Sequence, residues 1–245
     1  MRRRFLLAIL MAAAGAVSPL CPAEPASEGA DAGQALAQRI RSAEPEENSE
    51  IHGTLIIRAG GRTRKVPVVC RVALEGAGWK TDYETPATTN GPAERLTVIH
   101  STNGPNLYFY SRAGGPAVAV PASEADIPLA GSDFSLTDLG LEYLHWPQQL
   151  RFRDETRLGQ ACYVLESRNP AAPGGIARVK SYIDKETGGL LVAEAYDAGG
   201  RENKEFSLHG SSFKKVNGHW RLEKMDIRDK RKRSQTELKF DTDKE

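Results

Sequence analysis

The search for chemistry in this chain begins with its five histidines, His52, His100, His145, His209 and His219. No two of them stand at a metal-ligand spacing. Glu142 and His145 are three residues apart, so on a helix they share a face, as in the Glu-x-x-His pairs of di-iron carboxylate proteins. Those centres need a second copy of the pattern, and the sequence holds none. It also lacks a Gly-x-Ser-x-Gly elbow, a phosphate-binding glycine loop ending in Lys-Ser/Thr, and a cysteine quartet. Lys230 to Arg233 is a basic run that reads as a solvated hairpin tip. Thr81-Asp82-Tyr83 and Gly218-His219-Trp220 look like lipocalin signatures, but they occur in the wrong order along the chain. The residues therefore point to a binding protein and not an enzyme, with no cofactor and no metal.

Without a reaction centre, the question becomes what surface the chain builds and what covers it. The stretch Leu129 to Trp146 carries helix grammar inside a β context. Ser135 can cap a helix, and Asp138 falls in its first turn, where a carboxylate suits free N–H groups. Leu136, Leu139, Tyr143 and Trp146 recur at helical spacing and make one apolar stripe. Pro147 stops it. Two readings follow: a helix that plugs a core, or a lid over a hollow sheet.

Around this stretch the period is 2. Ile51, Gly53, Leu55 and Ile57 point one way, and Val66, Val68, Cys70, Val72 and Leu74 alternate with polar or smaller neighbours in the clearest amphipathic strand. Trp79 to Thr85 follows. Leu96 to Ser101 and Asn106 to Arg112 form a hairpin over Asn103-Gly104. Ala113 to Leu129 is Pro- and Ala-rich and reads as extended. Beyond Pro147, strands are expected at 162–167, 178–184, 190–197, 202–208, 212–216 and 220–227, the last with a bulge near Glu223 and Lys224. Thr236, Leu238 and Phe240 mark a final strand that closes the sheet. Short turns make this an antiparallel meander of about ten or eleven strands. A sheet that wide curls, and its concave face must be filled. The helix at Leu129–Trp146 and a shorter one from Asp31 to about Ala43, with Leu36 and Ile40 on its apolar stripe, are the elements able to do so.

The chain has 245 residues, 40% of them hydrophobic, and a formal net charge of +1. It is long enough for one sizeable core. Residues 1–23 read as a secretory signal: Arg2, Arg3 and Arg4, then a 13-residue apolar run from Phe5 to Val17. Cleavage after Ala23 removes three arginines and no acids, so +1 becomes −2. A near-neutral chain has no electrostatic footprint for nucleic acid. Lipidation at Cys21 is the alternative, but Pro19 and Leu20 stand where that processing prefers small residues. Residues 24–33 read as a flexible leader and 34–245 as a single domain. Cys70 and Cys162 then remain. An even pair in an oxidising compartment permits a disulfide, and two buried thiols in apolar strands are the other reading.

One resemblance rests on an ordered set of short motifs: Gly131-Ser132-Asp133-Phe134-Ser135 with Asp138-Leu139, Cys162-Tyr163-Val164-Leu165-Glu166, Tyr182-Ile183-Asp184, Glu194-Ala195-Tyr196-Asp197 and Thr236-Glu237-Leu238. In this order, behind a signal segment, a short helix and a meander, they resemble the LolA-like outer-membrane lipoprotein-sorting family. The resemblance implies an incomplete, strongly curved antiparallel barrel with helices as a lid, and a cavity for acyl chains. It implies a periplasmic protein, acting as a monomer, with lipoproteins or other acylated ligands as partners. An inner-membrane transporter and an outer-membrane acceptor are further partners. An envelope sensor or adaptor is the alternative role. The family's better-known carriers close the lid with an arginine that matches no single residue here. Strand parity nominates Leu55, Ile57, Val68, Val72, Val98, Leu107 and Phe109 for the wall, with Phe134, Leu136, Leu139, Tyr143 and Trp146 above them. Ser132, Asp133, Ser135 and Asp138 are the expected hinge and cap.

The mature protein is expected to begin near Glu24 and to be soluble in the periplasm. Mass spectrometry of the protein from a periplasmic extract reads this directly, and palmitate label that appears on the protein and disappears in Cys21→Ser contradicts it.

Overall fold

Alternation of apolar and polar side chains decides the architecture. A computed structural model describes residues 5–6, 29–76, 78–89, 91–101, 104–169, 175–208, 212–216 and 219–241. Most of the expected signal segment with Cys21, the leader before Gly29, Asn103, and the turn Asn217-Gly218 lie outside them. Of the signal segment only Phe5–Leu6 (β1) is described, pairing in parallel with His219–Leu222 (β14).

The strands of the N-terminal half are Ser49–Ala59 (β2), Arg62–Glu75 (β3), Gly78–Thr85 (β4), Glu94–Ser101 (β5), Leu107–Arg112 (β6) and Val118–Val120 (β7). Those of the C-terminal half are Gln148–Arg157 (β8), Gln160–Arg168 (β9), Ile176–Asp184 (β10), Leu190–Asp197 (β11), Glu202–Ser207 (β12), Lys224–Asp229 (β15) and Ser234–Phe240 (β16). All of these form one antiparallel sheet of 13 strands in the order β7-β6-β5-β4-β3-β2-β16-β15-β12-β11-β10-β9-β8. It is not closed: β7 and β8 are its edges. A separate three-stranded sheet joins β1, β14 and Phe213–Val216 (β13).

Three expectations about the strands are corrected here. The strand count exceeds ten or eleven, because both edges were silent in the sequence. Val118–Val120 lies in the Pro- and Ala-rich stretch, and Gln148–Arg157 carries charges on both faces, which hides any alternation. The parity slip near Glu223 is not a bulge but the point where the chain leaves the small sheet for the large one. β16 does not close the sheet; it is internal and joins the two halves, with Leu238 opposite Leu55 on one side and Met225 on the other.

The helix at the N-terminus, Ala30–Arg41 (α1), starts at Ala30, inside the stretch read as leader, and Gly29 is its N-cap, with Asp31 in the first turn. It buries Gly33, Leu36 and Ala37 and packs on β8. The expected helix from Leu129 to Trp146 is not continuous. It is a 3₁₀ turn at Leu129–Gly131, an α-helix of four residues at Leu136–Leu139 (α2), and a 3₁₀ turn at Glu142–His145. Ala130 and Leu141 have φ of 50° and 49°, a left-handed conformation that interrupts any helix. The apolar stripe is consequently split. Leu136 and Leu139 pack in the larger core cluster with Leu55, Val68 and Val98, whereas Tyr143 and Leu144 pack in a second cluster with Leu36, Val179 and Ile183. Cys70 and Cys162 are both free thiols, buried in different clusters, so the disulfide is not formed.

Gly33 is where α1 touches the sheet most closely: any Cβ there would overlap the Gln149 carbonyl. Gly33→Ala should therefore destabilise the protein by about 1–3 kcal/mol through overpacking, while Gly29→Ala, which meets nothing within 4 Å, should be far milder. Denaturant midpoints of the two variants check this.

Candidate functional site

Residues 129–146 pack against the apolar face of the large sheet, and the way they are fixed defines the site. Four residues are too few for a helix to stand by itself, so α2 is held by its ends. Ser135 and Asp138 form a full capping box: the Asp138 N–H donates to Ser135 Oγ, and Asp138 Oδ2 accepts from the Ser135 N–H at 3.0 Å. The same Oδ2 accepts from Lys204 Nζ at 2.9 Å.

Every tie from this segment to the sheet, among the described residues, runs through a side chain. At the start, the Ala130 peptide is gripped on both sides: its N–H donates to Glu94 Oε2 at 2.7 Å and its carbonyl accepts from Arg64 Nη2 at 2.5 Å. Asp133, 4% exposed, accepts from Ser234 Oγ at 2.5 Å and Thr236 Oγ1 at 2.9 Å, so it is pinned to β16. Ser132 is buried beside it, and its Oγ accepts the Phe134 N–H at 3.2 Å. Further on, Asn106 donates to the Gly140 carbonyl at 2.7 Å and the Tyr108 hydroxyl donates to Glu142 at 2.5 Å. Gly140 is required, because a Cβ there would overlap the Tyr108 ring. At the far end, Arg41 donates to the Leu144 carbonyl and Gln149 to the carbonyls of Tyr143 and Trp146.

Of the nominated wall, Leu55, Ile57, Val68, Val72 and Val98 are buried in one cluster, and Phe134, Leu136 and Leu139 of the covering segment lie in that same cluster. Tyr143 belongs to the second cluster, with Trp146 partly buried against it. Leu107 and Phe109 are placed wrongly. Leu107 is 54% exposed, while Asn106 and Tyr108 face inward. Leu107 to Tyr110 is apolar or aromatic at every position, so alternation cannot tell its two faces apart. Between the two halves a cavity of about 40 Å³ remains, with Phe134, Leu139 and Tyr143 on the covering side and Leu190, Phe206 and Ile227 on the sheet side. It would hold a few waters at most, whereas sites for small organic ligands run to about 300–1,000 Å³.

Lys204 also lines this cavity. Its side chain is 14% exposed, and although burial pulls its pKa down, Asp138 and Asp126 outweigh that and hold the ammonium above its ordinary value. Glu142 moves in the opposite sense to a salt-bridged acid: burial raises it against the lowering effect of the Tyr108 hydroxyl. Arg64 and Lys204 escaped the sequence reading. Each stands two residues before an apolar residue that shares its surroundings, Val66 and Phe206, and a cation on the apolar parity was the available signal.

His100 stacks on Trp79 with ring centroids 4.7 Å apart, and its Nε2 lies 3.3 Å from Thr81 Oγ1. Burial, and then the nearby His145, push it down to about 3; burial and Arg41 push His145 down to about 4. Glu142 and His145 thus serve different neighbours, and no group of three or more His, Cys, Asp or Glu able to hold a metal occurs among the described residues.

Known structures share this fold. A DUF1329 family protein from Desulfovibrio piger superposes with a TM-score of 0.70 at 19% identity, covering 88% of this chain and 92% of that one. A domain described as an outer membrane lipoprotein-sorting protein from Vibrio parahaemolyticus gives 0.69 at 21% identity, covering 89% and 95%. A LolA superfamily protein from Nitrosomonas europaea gives 0.56 at 13% identity, covering 86% and 91%. The fold is therefore LolA-like, as the ordered motifs indicated. Over residues 82–244 the chain matches the model of a family that carries the description Uncharacterized protein, and it belongs to that family. No curated protein matches it.

Both histidines have pKa values below the ordinary 6.5, so the unfolded chain takes up protons first as pH falls. The stability that these neutral histidines contribute is complete above pH 6.5 and declines below it, by about 1.4 kcal/mol per pH unit for buried His100 and by less for the more exposed His145. Between pH 6.5 and 5, a zone above the carboxylate range, the His100→Gln/His145→Gln protein should show a clearly shallower fall in urea-unfolding free energy than the wild type.

Proposed function

We propose that the protein is a periplasmic lipid-binding protein in which residues 129–146 act as a lid, and that it carries or accepts lipoproteins on their way to the outer membrane. The observation that carries this reading is that the covering segment adds no strand to the sheet and is fixed to it by side chains alone, over a wall of buried aliphatic residues. Such a cover can leave without breaking a strand ladder.

The magnitudes support exchange. Burying a 16-carbon acyl chain yields on the order of 12 kcal/mol at about 0.8 kcal/mol per CH₂. Each polar tie contributes about 1 kcal/mol net, somewhat more where a charge takes part. Losing the ties and the lid's own apolar contacts is therefore comparable with what an acyl chain returns, which is the condition for a reversible exchange. Lid and lipid compete for one surface because the 40 Å³ cavity has no room for both. Arg64, donating to the Ala130 carbonyl, has the role expected of a lid-closing arginine. Asp133 and the Ser135–Asp138 box would act as anchor and cap.

The likeness to a lipoprotein-sorting domain and a LolA superfamily protein supports the class of ligand. The signal-like residues 1–23 support the compartment, and the composition a single domain over 34–245. In this reading the protein is a non-enzymatic monomer whose partners are a membrane transporter that loads it and an acceptor that unloads it. In the sensor or adaptor reading the same lid movement would signal to a protein partner instead.

Protein purified natively from a periplasmic extract should release bound acyl lipid on denaturation in mass spectrometry, and delipidated protein should take up a fluorescent fatty acid stoichiometrically. Lys204→Met, which removes one tie and leaves an apolar side chain of similar length in the cavity lining, should keep the fold and raise acyl affinity several-fold. Lipid-free native protein that also takes up no acyl probe contradicts the proposal.

A further inference from the structure

A second cleft lies on the other side of the Ala130–Gly131 turn, where β3, β4, β5 and β6 end. Its volume is about 330 Å³, some eight times that of the cavity under the lid, and its lining is largely polar. Two guanidiniums, Arg64 and Arg112, border it against one carboxylate, Glu94. Glu94 is already engaged, with Oε2 accepting the Ala130 N–H at 2.7 Å and Oε1 3.8 Å from Arg112 Nε. Arg64 spends Nη2 on the Ala130 carbonyl, and Arg112 makes a long contact to Glu94 and lies near Tyr110. Thr85, 3% exposed, also lines the cleft, and its hydroxyl has no partner among the described residues. A buried hydroxyl left unpaired is destabilising, and a bound acceptor would satisfy it.

We infer that this cleft binds a phosphate group, held by the Arg64 and Arg112 forks and the Thr85 hydroxyl, and that the group is the acidic head of the lipid whose chain lies under the lid. Guanidinium pairs suit phosphate because their planar donors match its oxygens two at a time. Val66 ties the two sites together: it lines the cleft and belongs to the same core cluster as Phe134 and Leu136, so head and chain can lie on either side of one turn. Gly131 leaves Arg64 room, since a Cβ there would come within 3.1 Å of Nη2. A phosphate in the cleft competes with the Ala130 carbonyl for Arg64, so an acidic ligand would loosen the lid's first tie as it enters. The lipid part of this inference rests on the lid reading above; the anion site does not.

The test titrates delipidated protein with 1-oleoyl lysophosphatidate, 1-oleoyl glycerol and glycerol 3-phosphate by calorimetry, for the wild type, Arg112→Gln and Thr85→Val. Arg112 is 62% exposed, so its variant should fold. The expected result is a preference for lysophosphatidate over oleoyl glycerol on the order of tenfold or more, falling toward parity in both variants while oleoyl glycerol binds as before. Glycerol 3-phosphate binding that needs Arg112, with neither lipid bound, supports the phosphate site, assigns it to a free phosphate ester and refutes the lid reading. Equal affinity for the two lipids, or a preference that survives both substitutions, overturns the phosphate site and leaves the lid reading standing. No binding of any of the three overturns both.

Discussion

An open sheet of 13 strands leaves an apolar face that must be kept from water, and the segment packed on it answers to that constraint. A closed barrel would fill its own interior. Here the cover comes from 18 residues, 129–146, that contribute no strand and only four residues of α-helix. Their apolar side chains merge with the wall, and their polar backbone is served by side chains rising from the sheet. The Lys204–Asp138 pair shows how this is done at least cost. The ammonium reaches the cap of α2 across an apolar lining, and the carboxylate it meets is already fixed by Ser135. Neither charge is left buried alone, which would cost several kcal/mol.

The cover has two halves with different loyalties. Phe134, Leu136 and Leu139 belong to the core of β2–β6, β15 and β16, whereas Tyr143 and Leu144 belong with α1 and β9–β11. Leu141, in a left-handed conformation, lies between them, and the small cavity sits beneath that junction. A segment made of short turns joined at such residues can bend at its joints in a way that a straight helix of the same length cannot. The joint, the cavity and the buried lysine meet at one place.

Much of this was legible in the sequence, and the failures have definite causes. The inward parity of Leu55, Val68, Val72 and Val98 was plain because polar or small residues separate them. The cap at Ser135, with Asp138 in the first turn, could be read because the two interact locally. The continuous helix was an error of averaging: apolar spacing across Gly140-Leu141 fits a helix, but Leu141 is left-handed and breaks it. Leu107 and Phe109 failed because their strand is apolar on both faces. The edge strand β8 failed because one neighbour and much solvent leave little pattern to see. Arg64, Tyr108 and Lys204 act through partners between 34 and 66 residues away in the chain, and a lone cation or hydroxyl in a strand does not announce such a partner.

The central claim is that residues 129–146 form a separable cover, with the sheet intact beneath. Hydrogen exchange at single-residue resolution tests it most directly, comparing the delipidated protein with the same protein saturated with oleate. The account predicts that the amides of Leu139, Gly140 and Leu141, bonded within the segment to Ser135, Leu136 and Asp138, exchange faster when oleate is bound, while those of β2, β3 and β16 keep their protection. Loss of protection in the cover and those strands together, or no change in either with oleate demonstrably bound, would contradict it.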